Sequence, residues 1–294
     1  METMTQPHTH AHHSHHDRPG HGPAPEHDTG LAEILDLDAV LGAPVLDAAL
    51  DAASGALDAE PTTIVDLGSG TGTGTLALAR RFDRARVHSL DASPAMVERL
   101  RASAAEANLA DRVQPQLVDL DGDWPSAVPA PIDLAWAALS LHHVTDPAEV
   151  LSQAFDALRP GGVLVVIEMT AATSYRPTDL GTGIAGLGDR VVSALAERGY
   201  PVTAEWTQAL RQAGFVDVER REAAFAASTD TSEGTRYLAL HLTRNRDVIG
   251  DDLSADELAG LDSAIAELEQ GAAELAFEST RFIWTATRPA EEQR

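Results

Sequence analysis

The 294-residue chain contains no cysteine, and its 21 basic residues are all arginine. Without cysteine there are no disulfides, thiolate nucleophiles or cysteine-ligated metals. Without lysine there is no Schiff-base chemistry and no phosphate-binding lysine of a P-loop. Aromatic residues are scarce, at 4%. No apolar run approaches the roughly 18 residues of a membrane span, and no apolar leader core precedes the first helical pattern. The expectation is a cytoplasmic protein that does not engage a membrane. Cationic charge is outweighed too, with a formal net charge of −25. Such a surface repels nucleic acid, so a nucleic-acid partner is not expected. What remains is a 44% hydrophobic chain, enough to bury a core.

Residues 1–30 hold eight of the twelve histidines among Pro, Gly, Thr and Asp. They show no periodic apolar face and read as a disordered tail. His12, His13, His15 and His16 offer imidazole ligands for Zn, Ni or Cu. A disordered tail with adventitious metal affinity is the plainer reading of them.

Residues 31–57 have helical apolar spacing and a break near Gly42-Ala43-Pro44. Strands and helices then alternate. Strands are predicted at 62–67, 87–91, 113–120, 132–137 and 163–169, and helices at 73–82, from Pro94, and from Asp146-Pro147 to 158. Regular βα alternation predicts a parallel sheet covered by helices, an α/β fold of the Rossmann-like type. After Thr170 the rhythm changes. A helix at 204–213, a strand at 215–223, two helices within 231–271 and a closing strand at 282–287 are predicted. Ser254 and Glu257 have capping-box spacing. The domain core is therefore assigned to about 60–170, 203–223 and 278–288. Segments 31–57, 171–202 and 231–271 are expected to form a cap over the carboxyl edge of the sheet, where ligands bind in such folds. Tyr175, Tyr200, Trp206, Tyr237 and His241 are the cap-region residues that could orient a ligand.

The first predicted strand runs into Asp66-Leu67-Gly68-Ser69-Gly70-Thr71-Gly72-Thr73. Glycines there allow a tight turn and close ligand approach, and the following helix N-terminus presents free N–H groups. The dinucleotide pattern G-x-G-x-x-G/A fails, because its third small position falls on Thr73 or Thr75. An acid two residues before the first glycine suits a ligand carrying positive charge.

In these residues the chain resembles the class I S-adenosylmethionine-dependent methyltransferases, whose first motif is an acid, one residue, then G-x-G-x-G. Asp66, Gly68, Gly70 and Gly72 match it, with Ser69 and Thr71 between them. Asp91-Ala92-Ser93-Pro94-Ala95-Met96 is similar to the second segment, where Asp91 would accept the ribose hydroxyls. Asp119-Leu120 stands where the family places an acid on the adenine amino group and an apolar residue against the ring. The run from Asp133 through Ala137 to His142-His143 resembles the fourth-strand segment of the small-molecule branch, and Leu158-Arg159-Pro160-Gly161-Gly162 the turn before the fifth strand. The resemblance covers roughly half the chain. It implies a seven-stranded, mostly parallel sheet with helices on both faces, S-adenosyl-L-methionine as cofactor, and a cofactor site of Asp66, Gly68, Ser69, Gly70, Thr71, Gly72, Asp91, Ala92, Met96, Asp119, Leu120 and Ala137.

The acids also have plainer readings. Asp66 could order its loop, Asp91 could be a turn acid, and Asp119 with Asp121 and Asp123 could form a solvated turn. His142, His143 and Glu168 fall at the carboxyl edge and are the candidates for a general base. Two functions are therefore weighed. One is methyl transfer to an O, N or C nucleophile of a small molecule. The other is a metal-handling or regulatory protein that uses the histidine-rich tail on a cofactor-binding scaffold. The acceptor and the oligomeric state are not legible.

Overall fold

The computed structural model describes residues 25–200 and 203–290. The tail histidines, His12, His13, His15 and His16 among them, lie outside the described residues. Helix α1 spans Pro25–Leu41 and α2 spans Ala43–Ala56. The helical pattern thus starts at Pro25, inside the segment expected to be tail. Proline at the first helical position forfeits no hydrogen bond and is preset in φ. Gly42 breaks the pair of helices as expected, and Pro44 sits in the first turn of α2.

The central sheet has strands β1 (Thr63–Leu67), β2 (Arg86–Asp91), β3 (Val113–Leu117), β4 (Ile132–Ala138), β5 (Leu158–Arg176), β6 (Val216–Ser228) and β7 (Ala276–Thr287). Their order is β3-β2-β1-β4-β5-β7-β6. The first five strands pair in parallel, and β7 runs antiparallel between β5 and β6. This is the Rossmann-like fold that the alternation predicted.

Helices α3 (Thr73–Arg81), α4 (Pro94–Glu106) and α5 (Pro147–Ala157) connect the parallel strands. Their starts are chemically marked. Ser93 accepts from the Met96 N–H at 3.4 Å and Asp146 from the Glu149 N–H at 3.2 Å. Helices α6 (Leu187–Glu197), α7 (Thr207–Gln212), α8 (Ser232–Ile249) and α9 (Ala255–Glu269) follow. The predicted capping box at α9 is present in both directions between Ser254 and Glu257.

Two apolar cores flank the sheet. One holds Ile64, Trp136, Val165 and Ile283 with α2, α3, α6 and α8. The other holds Val65, Ala135, Val166 and Trp284 with α5 and α7. Strand residues alternate between them, as pleating requires.

The largest departure from the sequence reading lies in the last three strands. β5 continues to Arg176, so the first six residues of the segment expected to be cap are strand. β6 and β7 are likewise longer than predicted. A register shift between Met169 and Thr173 marks where the ribbon leaves the sheet proper. Beyond it, Tyr175, Phe225 and Phe277 pack together with Tyr237 of α8. This tertiary cluster, rather than the weak alternation of Thr-Ala-Ala-Thr-Ser-Tyr, supports the extension. β3 stops at Leu117, which leaves Asp119 and Leu120 in the following loop.

Candidate functional site

The turn after β1 bends through three left-handed glycines, with φ of +76° at Gly68, +51° at Gly70 and +94° at Gly72. A side chain at Gly68 would begin 2.5 Å from Ser140 Cβ, and one at Gly72 2.1 Å from Leu100 Cδ1. The Gly68 and Ser69 N–H groups both donate to the Leu90 carbonyl, at 2.8 and 2.9 Å. Ser140 Oγ donates to the Leu67 carbonyl at 2.6 Å and ties the end of β4 to the turn. Asp91 completes the frame. Its Oδ2 accepts from Gly70 N at 2.8 Å and its Oδ1 from Ser93 N at 2.8 Å. Each carboxylate oxygen keeps a second lone pair for a ligand hydroxyl.

Asp66 lies beneath this turn, buried at the end of β1. Thr75 Oγ1 donates to it at 2.6 Å and lies 3.0 Å from Ser89 Oγ. Burial pushes the Asp66 carboxyl up to about 7. The charge of Asp91 adds to the rise, and the Thr75 hydrogen bonds oppose it.

Asp66, Gly68, Ser69, Gly70, Thr71, Asp91, Ala92, Met96, Asp119 and Leu120 border one cleft of about 800 Å³. Two of its lining groups, Ser69 Oγ and Trp136 Nε1, are buried without a hydrogen-bond partner among the described residues. Such orphaned polar atoms, with left-handed glycines and paired acids, fit a polar ligand carrying hydroxyls and positive charge. Two predicted cofactor residues do not border the cleft. Gly72 packs behind it against Leu100. Ala137 is buried in the opposite core, and its strand neighbours Trp136 and Ala138 face the cleft instead. The motif located the strand end correctly but not the parity of its side chains.

The same alternation separates the three base candidates. Ile167 of β5 faces the cleft, so Glu168 points to the other side of the sheet and is fully buried. There both Glu168 carboxylate oxygens lie 2.9 Å from His142 Nδ1, and Oε1 also accepts from Met169 N at 3.0 Å. Of the three, only His143 borders the cleft. Its ring centroid is 4.0 Å from that of His142. Burial, followed by the proximity of His142, holds the His143 imidazole below its usual value, and the Glu168 charge partly opposes them.

The roof also differs from expectation. Among the described residues, segments 171–202 and 231–271 contribute nothing to the cleft lining. Tyr175 is buried and its hydroxyl accepts from Asn245 Nδ2 at 3.2 Å. Tyr237 and His241 stack on each other, with ring centroids 5.4 Å apart, and Trp206 lies in the opposite core. Tyr200 does not reach the cleft either. The cover comes from Leu35, Asp38 and Ala39 of α1 and Leu46 of α2, with Phe225 of β6 and Arg281 of β7 beside them. Sequence reasoning missed Asp38, Phe225 and Arg281. The one available signal was a charged residue inside an otherwise apolar strand, Arg281 before Phe-Ile-Trp.

Comparison with known proteins gives one family match, two relatives and one solved structure. Residues 65–164 match the family model described as methyltransferase domain. A trans-aconitate 2-methyltransferase of Methylobacterium radiotolerans is 33% identical over 166 residues, covering 54% of this chain and 60% of the relative. A 27-O-demethylrifamycin SV methyltransferase of Amycolatopsis mediterranei is 35% identical over 104 residues, covering 35% of this chain and 37% of the relative. The matches therefore span less than two thirds of these curated relatives' length. Among solved structures, the YcgJ protein of Bacillus subtilis superposes with a TM-score of 0.52 at 16% identity, covering 84% of this chain and 98% of that one.

Proposed function

We propose that the chain transfers a methyl group from S-adenosyl-L-methionine to a small molecule, a reading supported by the match of residues 65–164 to the methyltransferase-domain model and by the Rossmann-like sheet that carries them. The observation that carries this reading is the convergence of the acid–glycine turn, Asp91, Asp119-Leu120 and His143 on one roofed cleft. The relatives are named for small molecules, which supports the acceptor class. The charge of −25 supports it further, since it opposes binding of nucleic acid.

When bound, the cofactor supplies an electrophilic methyl group on a sulfonium, open to in-line attack by an O, N or C nucleophile. The chain's residues hold the partners. Asp91 takes the ribose hydroxyls on the lone pairs left by Gly70 and Ser93. Asp119 and Leu120 receive the adenine. Asp66 faces the positive charge. The roof of α1 and α2 keeps water from the cleft and holds the acceptor near the methyl group, where orientation supplies much of the acceleration. Where the nucleophile carries a proton, neutral His143 accepts it. The buried Glu168–His142 pair positions His143 from behind.

The test is titration of the protein with S-adenosylhomocysteine and NADH, followed by screening of labelled cofactor against small phenols, amines, carboxylates and nucleic acids. Binding of S-adenosylhomocysteine alone and labelling of small molecules are expected. Labelling of nucleic acid with none of small molecules ends the reading. His143→Asn should remove the acid limb of the kcat pH profile for a protonated acceptor. Glu168→Gln should move that limb rather than abolish it.

A further inference from the structure

The cleft has a second end, away from the glycine turn, and an arginine stands there. Arg281 occupies the middle of β7, in register with Met169 of β5 and Ala223 of β6. Its side chain is only 6% exposed, yet it borders the cleft. A guanidinium that deep needs partners, because an uncompensated buried charge is strongly destabilising.

The partners present do not use it up. The guanidinium lies over the Phe225 ring, 4.5 Å from the centroid, which orients its plane. Nη2 donates to Asp38 Oδ2 at 3.1 Å. Nη1 makes only long contacts, 3.4 Å to Ser279 Oγ and 3.5 Å to the Thr280 carbonyl. The Tyr237 hydroxyl lies near enough to feel its charge. Five N–H donors in a planar fork exceed that set.

We propose that Arg281 anchors a carboxylate group of the methyl acceptor, with the body of the acceptor lying against Phe225 and Leu35 under α1. This rests on the methyltransferase reading and names its substrate class. A neutral acceptor would leave donors of this buried guanidinium under-used. A dianionic phosphate ester meets Asp38 beside the fork and Asp66, Asp91, Asp119 and Asp121 along the same cleft. A monoanion meets less of that repulsion than a dianion does. Asp38 engages the fork through Nη2 alone, which leaves donors of the same guanidinium for a second carboxylate.

The experiment uses the full chain loaded with S-adenosylhomocysteine. It is titrated with trans-cinnamate, with its primary amide, and with phenyl phosphate. The expected result is cinnamate bound at least about tenfold more tightly than the amide, and more tightly than phenyl phosphate. The double variant Asp38→Asn/Arg281→Gln removes both charges, so neither is left buried alone. It should lose the preference for acid over amide while S-adenosylhomocysteine affinity stays within about twofold. Arg281→Lys keeps the charge but not the fork, and should retain a reduced preference. Equal affinity for acid and amide, no binding of cinnamate, tighter binding of phenyl phosphate, or a preference that survives the double variant overturns the proposal. If the wild type binds S-adenosylhomocysteine and still treats acid and amide alike, only this proposal fails. If it does not bind S-adenosylhomocysteine, the methyltransferase reading fails with it.

Discussion

The two ends of the cleft are built by different means. The glycine-turn end comes from residues 66–96 and 119–120, close in sequence, and is largely backbone. Three left-handed glycines, two loop N–H groups on Asp91 and the carbonyl of Leu90 define its shape. The far end is assembled from α1, α2, β6 and β7. Asp38 and Arg281 lie 243 positions apart in sequence yet share one hydrogen bond. Backbone can be shaped only by residues that permit its dihedral angles, so it leaves a readable motif. A surface assembled from distant side chains leaves none. The near end should therefore tolerate little change and the far end much more.

The largest expected effect is at Gly72. Alanine there combines a left-handed φ with a collision against the buried Leu100 side chain, and should cost about 2–4 kcal/mol of folding stability. Urea unfolding measures this. Gly70→Ala meets nothing closer than Leu35 Cδ1 at 3.9 Å, so its cost should be clearly smaller and should appear mainly in ligand affinity. Equal destabilisation by the two would break the picture of a turn with one packed and one ligand-facing glycine.

Asp91→Ala should come next, weakening S-adenosylhomocysteine binding by about 1.5–3 kcal/mol, the worth of hydrogen bonds to a charged group. Titration calorimetry decides it. An unchanged affinity would detach Asp91 from the cofactor and leave it only as a loop staple.

Asp66 should tie cofactor affinity to pH. Its carboxyl is raised from 3.8 to about 7 in the unliganded fold, so between those values the folded state holds a proton that the unfolded state has lost. Its contribution to stability is therefore present at low pH and is lost as pH rises toward 7. A positively charged ligand favours the ionised form. Affinity for S-adenosylmethionine should consequently fall as pH is lowered from 8 to 6, by up to about tenfold per unit. Asp66→Asn should flatten that slope. A slope that persists in the variant assigns the proton to another group.

The smallest effect on the cofactor should come from the far end. Ala39→Leu adds bulk on the cleft side of α1 without disturbing helix propensity. It should change kcat/KM for an acceptor by about tenfold while S-adenosylhomocysteine affinity stays level. A parallel loss of cofactor affinity would show that the two ends are not separable.

The sequence alone determined the βα alternation, the strand that carries Asp66 at its carboxyl end, the glycine turn and Asp91. These rest on local rules: apolar periodicity, the dihedral freedom of glycine, and capping by Ser93, Asp146 and Ser254. It also marked His142, His143 and Glu168 together, and the acids at the end of β2 and after β3, because a carboxyl strand edge is a place known from topology. Three matters were left to the tertiary structure. Side-chain parity put Ala138 rather than Ala137, and Ile167 rather than Glu168, on the cleft, since a strand end located to within one residue leaves its faces undetermined. The aromatic cluster of Tyr175, Phe225 and Phe277 extended β5, β6 and β7 beyond their weak local patterns. The choice of roof fell to α1 and α2 rather than to α6, α8 and α9, because several amphipathic segments can cover one edge and only their mutual packing selects among them.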